Sequence, residues 1–363
     1  MRTSTQLKAL IRNLSKKSNV ETEILLRNFM MECFLERISV SDYKHNFILK
    51  GGMLIAAMVG IDARTTMDMD ATIKGQTLSK SELSEIIQDI LTIQIEDGAE
   101  FSIRGIEEIR EEADYPGYRV SIGAVFDKTR QMLKIDITTG DPVTPREMEY
   151  DYKLMFEDRT ISIMAYNLET VLAEKLETII TRGVTNTRMR DFYDIYVLTN
   201  TQTFDVKIFK TALVNTAEKR GTTNQMSTET MNTIDFIMEN DIMADLWGKY
   251  QKKYFYAADI TWAMVINAVK NLAEGSASKS GRSLTRREGS NPSFSARRLA
   301  YSFRICWASF LMLTQKRLTG GARPPYPPPG SGKFKFKIIV SIFRVGSNNI
   351  PFYIRNCYQS MIG

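Results

Sequence analysis

Two carboxylates one residue apart, Asp68 and Asp70, stand in the run from Arg64 to Ile73 with Met69 between them. On a strand, side chains alternate between faces, so both aspartates project to one side and Met69 to the other. A third carboxylate, Asp136, lies inside Leu133-Lys-Ile-Asp-Ile137, where a lone charge among apolar neighbours is costly unless a cation stands beside it. Donor sets made only of oxygen suit a hard cation such as Mg²⁺. Two such ions can clamp the attacking and leaving oxygens of a displacement at phosphorus. Upstream, Lys50-Gly51-Gly52 closes one apolar run and opens another. Glycines let a backbone approach a triphosphate, and the free amides at a helix start favour its negative charge. The residues therefore allow a metal-assisted displacement at phosphorus, with Asp68, Asp70 and Asp136 as candidate catalytic metal ligands and Lys50, Gly51 and Gly52 as candidates to meet phosphates.

Each piece also has a plainer reading. A glycine pair between strand and helix is most often a tight turn, and an Asp-x-Asp pair is about as often a solvated turn as a metal site. Asp136 inside a strand would ordinarily pair with Lys134 or Arg119. The combination and its order carry the sharper reading.

The elements that must position these residues follow from periodicity. An apolar stripe through Leu7, Ile11, Leu25, Phe29 and Ile38 predicts opening helices. A strand Asn46 to Lys50 and a buried helix start at Met53 follow, then a strand Ala63 to Ile73 carrying Asp68 and Asp70. Ser79-x-x-Glu82 is a capping box for a helix Ser81 to Ile95. Phe101 to Ile109, Tyr118 to Phe126, Gln131 to Thr138 and Thr160 to Ala165 are β-rich. Helices are expected over Leu168 to Thr181, Arg188 to Leu198 and most of Asp205 to Ala273, with Trp247, Trp262 and the Tyr254-Phe255-Tyr256 cluster in the core.

Composition bounds the chemistry further. The chain has 363 residues, 43% of them hydrophobic, enough for a sizeable core. Its single histidine, His45, excludes His-based metal cages and speaks against Ser-His-Asp catalysis. Cys33, Cys306 and Cys357 are too few and too scattered for a disulfide framework or a zinc site. No stretch approaches a membrane span, and the opening residues lack the apolar core of a secretory signal, so a cytoplasmic protein without membrane contact is expected. The formal charge is +6, but residues 275–363 hold 15 basic groups against Glu288 alone. Residues 1–274 hold 33 basic and 41 acidic groups, a net of −8, so the basic balance belongs to the tail. The expected organisation is a core with N-terminal helices over 1–200, a helical region over 201–274, and a basic low-complexity extension over 275–363. That last part, with its PPYPPPGSG spacer, reads as a disordered or non-native extension.

The order hydrophobic-Gly-Gly, Asp-hydrophobic-Asp-hydrophobic, hydrophobic-Asp-hydrophobic resembles the signature of the nucleotidyltransferase (polymerase-beta-like) superfamily. Within it, FILKGGMLIAAMVGIDARTTMDMDATI resembles the first motif of the AbiEii-type toxins of abortive-infection (type IV toxin–antitoxin) systems. KIDITTGDPV is similar to the second motif, Glu174-Lys175-Leu176 to the helical third, and Arg190-Asp191-Phe192-Tyr193-Asp194-Ile195-Tyr196 to the fourth. The resemblance implies that Lys175 binds nucleotide phosphates, that Asp191 or Asp194 serves catalysis or orients that lysine, and that Arg64 belongs to the nucleotide-binding set. The plainer reading of the fourth motif is an i,i+4 ion pair between Arg190 and Asp194. Replacing Lys175 with Ala is expected to weaken nucleotide binding and spare thermal stability.

The implied fold is α+β: a small mixed, mainly antiparallel sheet bearing the three aspartates, with flanking helices and a helical C-terminal region. The implied function is Mg²⁺-dependent transfer of NMP from an NTP, with two ions, to an acceptor that is tRNA in some members. The protein would act as the toxin of a toxin–antitoxin or phage-defence pair, with an antitoxin encoded nearby. The rival readings are a non-catalytic nucleotide-binding regulator and an inactive frameshifted remnant.

Overall fold

A computed structural model describes residues 3–74, 79–109 and 117–275. The opening pair of helices forms where periodicity and capping coincide. Thr3 caps α1 (Ser4–Ser18) by accepting the Gln6 N–H at 3.3 Å, and α1 buries Leu7 and Ile11. α2 (Thr22–Ser39) is buried along most of its middle, from Asn28 to Leu35, which fits its place against the sheet.

β1 (Phe47–Lys50) runs directly into α3 (Gly51–Val59). β2 (Met69–Ile73) follows, then α4 (Lys80–Thr92), whose Ser79 and Glu82 form the expected capping box. β3 (Ala99–Ile109), β4 (Gly117–Phe126) and β5 (Thr129–Thr139) make a long meander. β6 (Met148–Lys153) and β7 (Thr160–Ala165) form a hairpin. The rest is helical: α5 (Leu168–Arg182), α6 (Met189–Thr201), α7 (Val206–Lys219), α8 (Thr223–Thr228), α9 (Thr230–Glu239), α10 (Asp241–Lys253) and α11 (Trp262–Ala273).

All seven strands join one sheet in the order β3-β4-β5-β2-β1-β7-β6. Four neighbouring pairs are antiparallel, while β1–β7 and β2–β5 are parallel. The sheet is thus mixed and mainly antiparallel, as expected, and larger than the runs suggest. β6 (MEYDYK) escapes a hydrophobicity reading because only Tyr152 of its six residues is buried, as befits an edge strand.

Two expectations are corrected. The strand anticipated from Ala63 begins only at Met69. Arg64 is drawn inward to Asp194, and Asn28 donates to the Thr66 carbonyl at 2.9 Å, so this stretch serves as a buried loop instead of pairing in the sheet. Asp68 consequently sits in a bend ahead of β2, and only Asp70 is on the strand. In the aromatic cluster Tyr254 and Tyr256 pack partly buried, but Phe255 is 63% exposed. Trp247 is buried as expected, and its indole N–H donates to the Ile260 carbonyl at 2.8 Å.

No helix among the described residues is long and apolar enough to cross a membrane. The expectation for the extension from residue 275, including its proline spacer and apolar pieces, lies outside the described residues apart from Gly275.

Candidate active site

Register across the sheet sets four charged residues side by side. Arg119 on β4 faces Asp136 on β5, Asp136 faces Asp70 on β2, and Asp70 faces Lys50 on β1. The row reads cation, carboxylate, carboxylate, cation. Partners in a strand register share a face, so four neighbouring strands put these groups on one surface. Asp68 joins Asp70 and Asp136 in lining a cleft of about 580 Å³, which is also lined by Lys175 on α5, Arg190 on α6 and Arg188 just ahead of α6.

The outer cations turn in different directions. Arg119 grips Asp136 with a two-point fork, Nε to Oδ1 and Nη2 to Oδ2, both 2.7 Å. This is one of the two pairings that strand context suggests for Asp136. Lys50 instead donates to Asp141 Oδ2 at 2.5 Å and to Thr138 Oγ1 at 2.8 Å, with its ammonium 5.4 Å from the centre of the Tyr166 ring. Asp70 is left with one long hydrogen bond, from the Gly52 N–H to Oδ2 at 3.4 Å. Burial pushes the Asp70 carboxyl above its ordinary range, against the opposing pull of Lys50 and the Gly52 amide. Among the described residues, no three His, Cys, Asp or Glu side chains converge as a ready-made cation site.

The glycines are fixed by what surrounds them. Gly51 has φ +65°, and a Cβ there would collide with the Asp70 carboxylate. A Cβ on Gly52 would stand 2.6 Å from Thr66 Oγ1. The turn therefore has no room for side chains, and the start of α3 lies directly against Asp70.

Behind this row is a second buried network. Lys175 on α5 donates to Asp191 Oδ1 and stands against Asp194 Oδ2, each at 2.8 Å. Asp194, fully buried, also accepts from Arg64 Nε at 2.7 Å. Burial works to lower the Lys175 pKa, but Asp191 and Asp194 outweigh it and hold the ammonium charged. Burial likewise works to raise the Asp194 carboxyl, and Arg64 and Lys175 carry it below its ordinary value. Arg188 Nε lies 2.8 Å from Asp191 Oδ2, yet that oxygen receives no well-aligned N–H. We take this as a charge contact and not a hydrogen bond. The anticipated Arg190–Asp194 pair does not form. Asp194 points into the core toward Arg64, and Arg190 donates to the Tyr254 hydroxyl at 3.0 Å.

Of the residues singled out by sequence, Asp68, Asp70, Asp136, Lys50, Gly51, Gly52, Arg64, Lys175 and Asp191 all line the cleft. Asp194 lies beneath it, and the cationic ends of Lys50 and Arg64 are turned to Asp141 and Asp194. Asp141 was visible inside KIDITTGDPV but had no periodic signal, because its partner Lys50 is 91 residues away. Arg188 likewise carries no pattern until α6 places it one turn from Asp191.

Among solved structures, JHP933 from Helicobacter pylori is 16% identical with a TM-score of 0.42, over 71% of this chain and 91% of that one. An antigenic nucleotidyltransferase-like protein from Paracoccidioides brasiliensis is 13% identical with a TM-score of 0.30, over 61% of this chain and 91% of that one. No match was found among curated proteins. The family model described as nucleotidyl transferase AbiEii toxin, type IV TA system, matches residues 33–269, a span that contains the glycine turn, the carboxylate row and the lysine network. The chain belongs to the AbiEii nucleotidyl transferase toxin family.

Proposed function

We propose that this cleft transfers a nucleoside monophosphate from an NTP to an acceptor, with Asp68, Asp70 and Asp136 holding Mg²⁺ and Lys175 contacting the triphosphate. The observation that carries the reading is the meeting, in one cleft, of carboxylates side by side on neighbouring strands with a largely buried lysine on α5. The donors fit a hard divalent cation: all are carboxylate oxygens, and Asp70 is a half-buried carboxylate with one weak hydrogen bond. When bound, such a cation stabilises charge on phosphoryl oxygens as a Lewis acid.

The remaining work falls to the chain. Lys175 has three N–H donors. Asp191 and Asp194 take two, so the third is free to reach a phosphate oxygen while the ammonium stays fixed. That gives the two aspartates an orienting role. Gly51 and Gly52 bring the first amides of α3 close to the same space. Reaction joins the acceptor oxygen to the α-phosphorus and breaks its bond to the bridging oxygen, releasing pyrophosphate.

RNA, tRNA in particular, is the acceptor we favour, and an antitoxin encoded nearby is the partner, with abortive infection as the setting. These assignments rest on the family. Incubation with each α-labelled NTP, Mg²⁺ and total RNA, resolved on a gel, tests them. Label on small RNA is expected. Label on protein would reassign the acceptor, and no label in any lane would contradict the reading.

A further inference from the structure

The fork from Arg119 engages both oxygens of Asp136. Both Asp136 oxygens are thus engaged from β4, while Asp70, its neighbour in register, keeps one long hydrogen bond. The pair is open to water: the Arg119 side chain is 39% exposed and that of Asp136 23%. Ion pairs in such surroundings are weak, and a change of partner costs little. An alternative partner is in register, since Glu107 on β3 faces Arg119 from the other side.

A dication seated between Asp70 and Asp136 would place a second positive charge against the guanidinium. We propose that Arg119 is a built-in counter-ion of Asp136, which neutralises the third carboxylate in the cation-free protein and swings toward Glu107 when a divalent cation takes its place. The proposal rests on the reading of the three aspartates as cation ligands. It makes Arg119 a positioning residue that competes with the cation and thereby sets its affinity.

The test is a Mn²⁺ titration of the full chain, following the free-ion EPR signal, with Arg119→Gln, Arg119→Lys and Asp70→Asn alongside. Loss of an exposed ion-pair competitor predicts Mn²⁺ binding roughly two- to fivefold tighter in Arg119→Gln. Arg119→Lys, which keeps the charge and loses the fork, should fall between it and the wild type, and Asp70→Asn should lose binding. Unchanged or weaker affinity in Arg119→Gln, with wild-type binding intact, would overturn the proposal and leave the cation reading standing. Absence of Mn²⁺ binding in every form, wild type included, would overturn both. Should Arg119→Gln fail to melt cooperatively, Arg119→Lys decides: tighter binding supports the counter-ion and unchanged binding refutes it.

Discussion

Lys175 could be picked out from a Glu-Lys-Leu triplet, but its surroundings could not. Its side chain is 12% exposed, with the ammonium between Asp191 and Asp194, which lie on a different helix. Removing one partner of a buried charge cluster leaves the others uncompensated, so the sequence-based expectation of unaltered stability is replaced. Lys175→Ala should lower stability by about 3 kcal/mol, with Arg64 and Arg188 limiting the damage. It should also weaken NTP binding more than tenfold, as the loss of a charge-assisted hydrogen bond of about 1.5–3 kcal/mol implies. Thermal melting and equilibrium NTP binding of the folded variant check both, and wild-type values in the two would remove Lys175 from the site. The three aspartates were legible for a different reason: a charge inside an apolar run is conspicuous in one dimension. Arg119 was legible as a partner of Asp136, whereas Asp141 became meaningful only through its contact with Lys50, 91 residues away.

Among the elements, those with strong local periodicity or caps were legible, and those held by distant partners were not. β2 is short because Arg64 belongs to an ion pair with α6, and β6 is an edge strand with little apolar content. The hairpin of β6 and β7 is tied to α2 through Glu32. This buried carboxyl accepts from the Tyr152 hydroxyl at 3.2 Å and from the Met155 N–H at 3.0 Å. Burial pushes it up to about 8 from an ordinary value of 4.5, against those two hydrogen bonds. The folded protein thus keeps a proton that the unfolded chain gives up. Stability from this group is fully present below pH 4.5 and is lost as pH rises to about 8. The loss is on the order of 4 kcal/mol. Glu32→Gln, which stays neutral, should flatten that slope and melt higher than the wild type at pH 8.5, with the gap closing toward pH 5. Parallel slopes for the two proteins from pH 5 to 8.5 would contradict the assignment.

At the scale of the molecule, the α+β class and the helical second half followed from the alternation of patterns along the chain. The sheet order did not, because β5 is inserted beside β2 and β7 beside β1 by parallel pairings that leave no local mark. Those pairings create the site: they set Asp136 beside Asp70 and lead β7 into the helix that carries Lys175. The family match ends at residue 269, ahead of the charge change near residue 275. The central claim is that the paired strand carboxylates make this cleft a nucleotidyl-transfer site. Asp70→Asn keeps the shape, removes one half-buried charge, and should leave the melting temperature equal or higher. Its transfer of label from an α-labelled NTP should fall by roughly 10²–10³-fold or more, as loss of a main electrostatic contribution does. Transfer by folded Asp70→Asn at close to the wild-type rate would contradict the account.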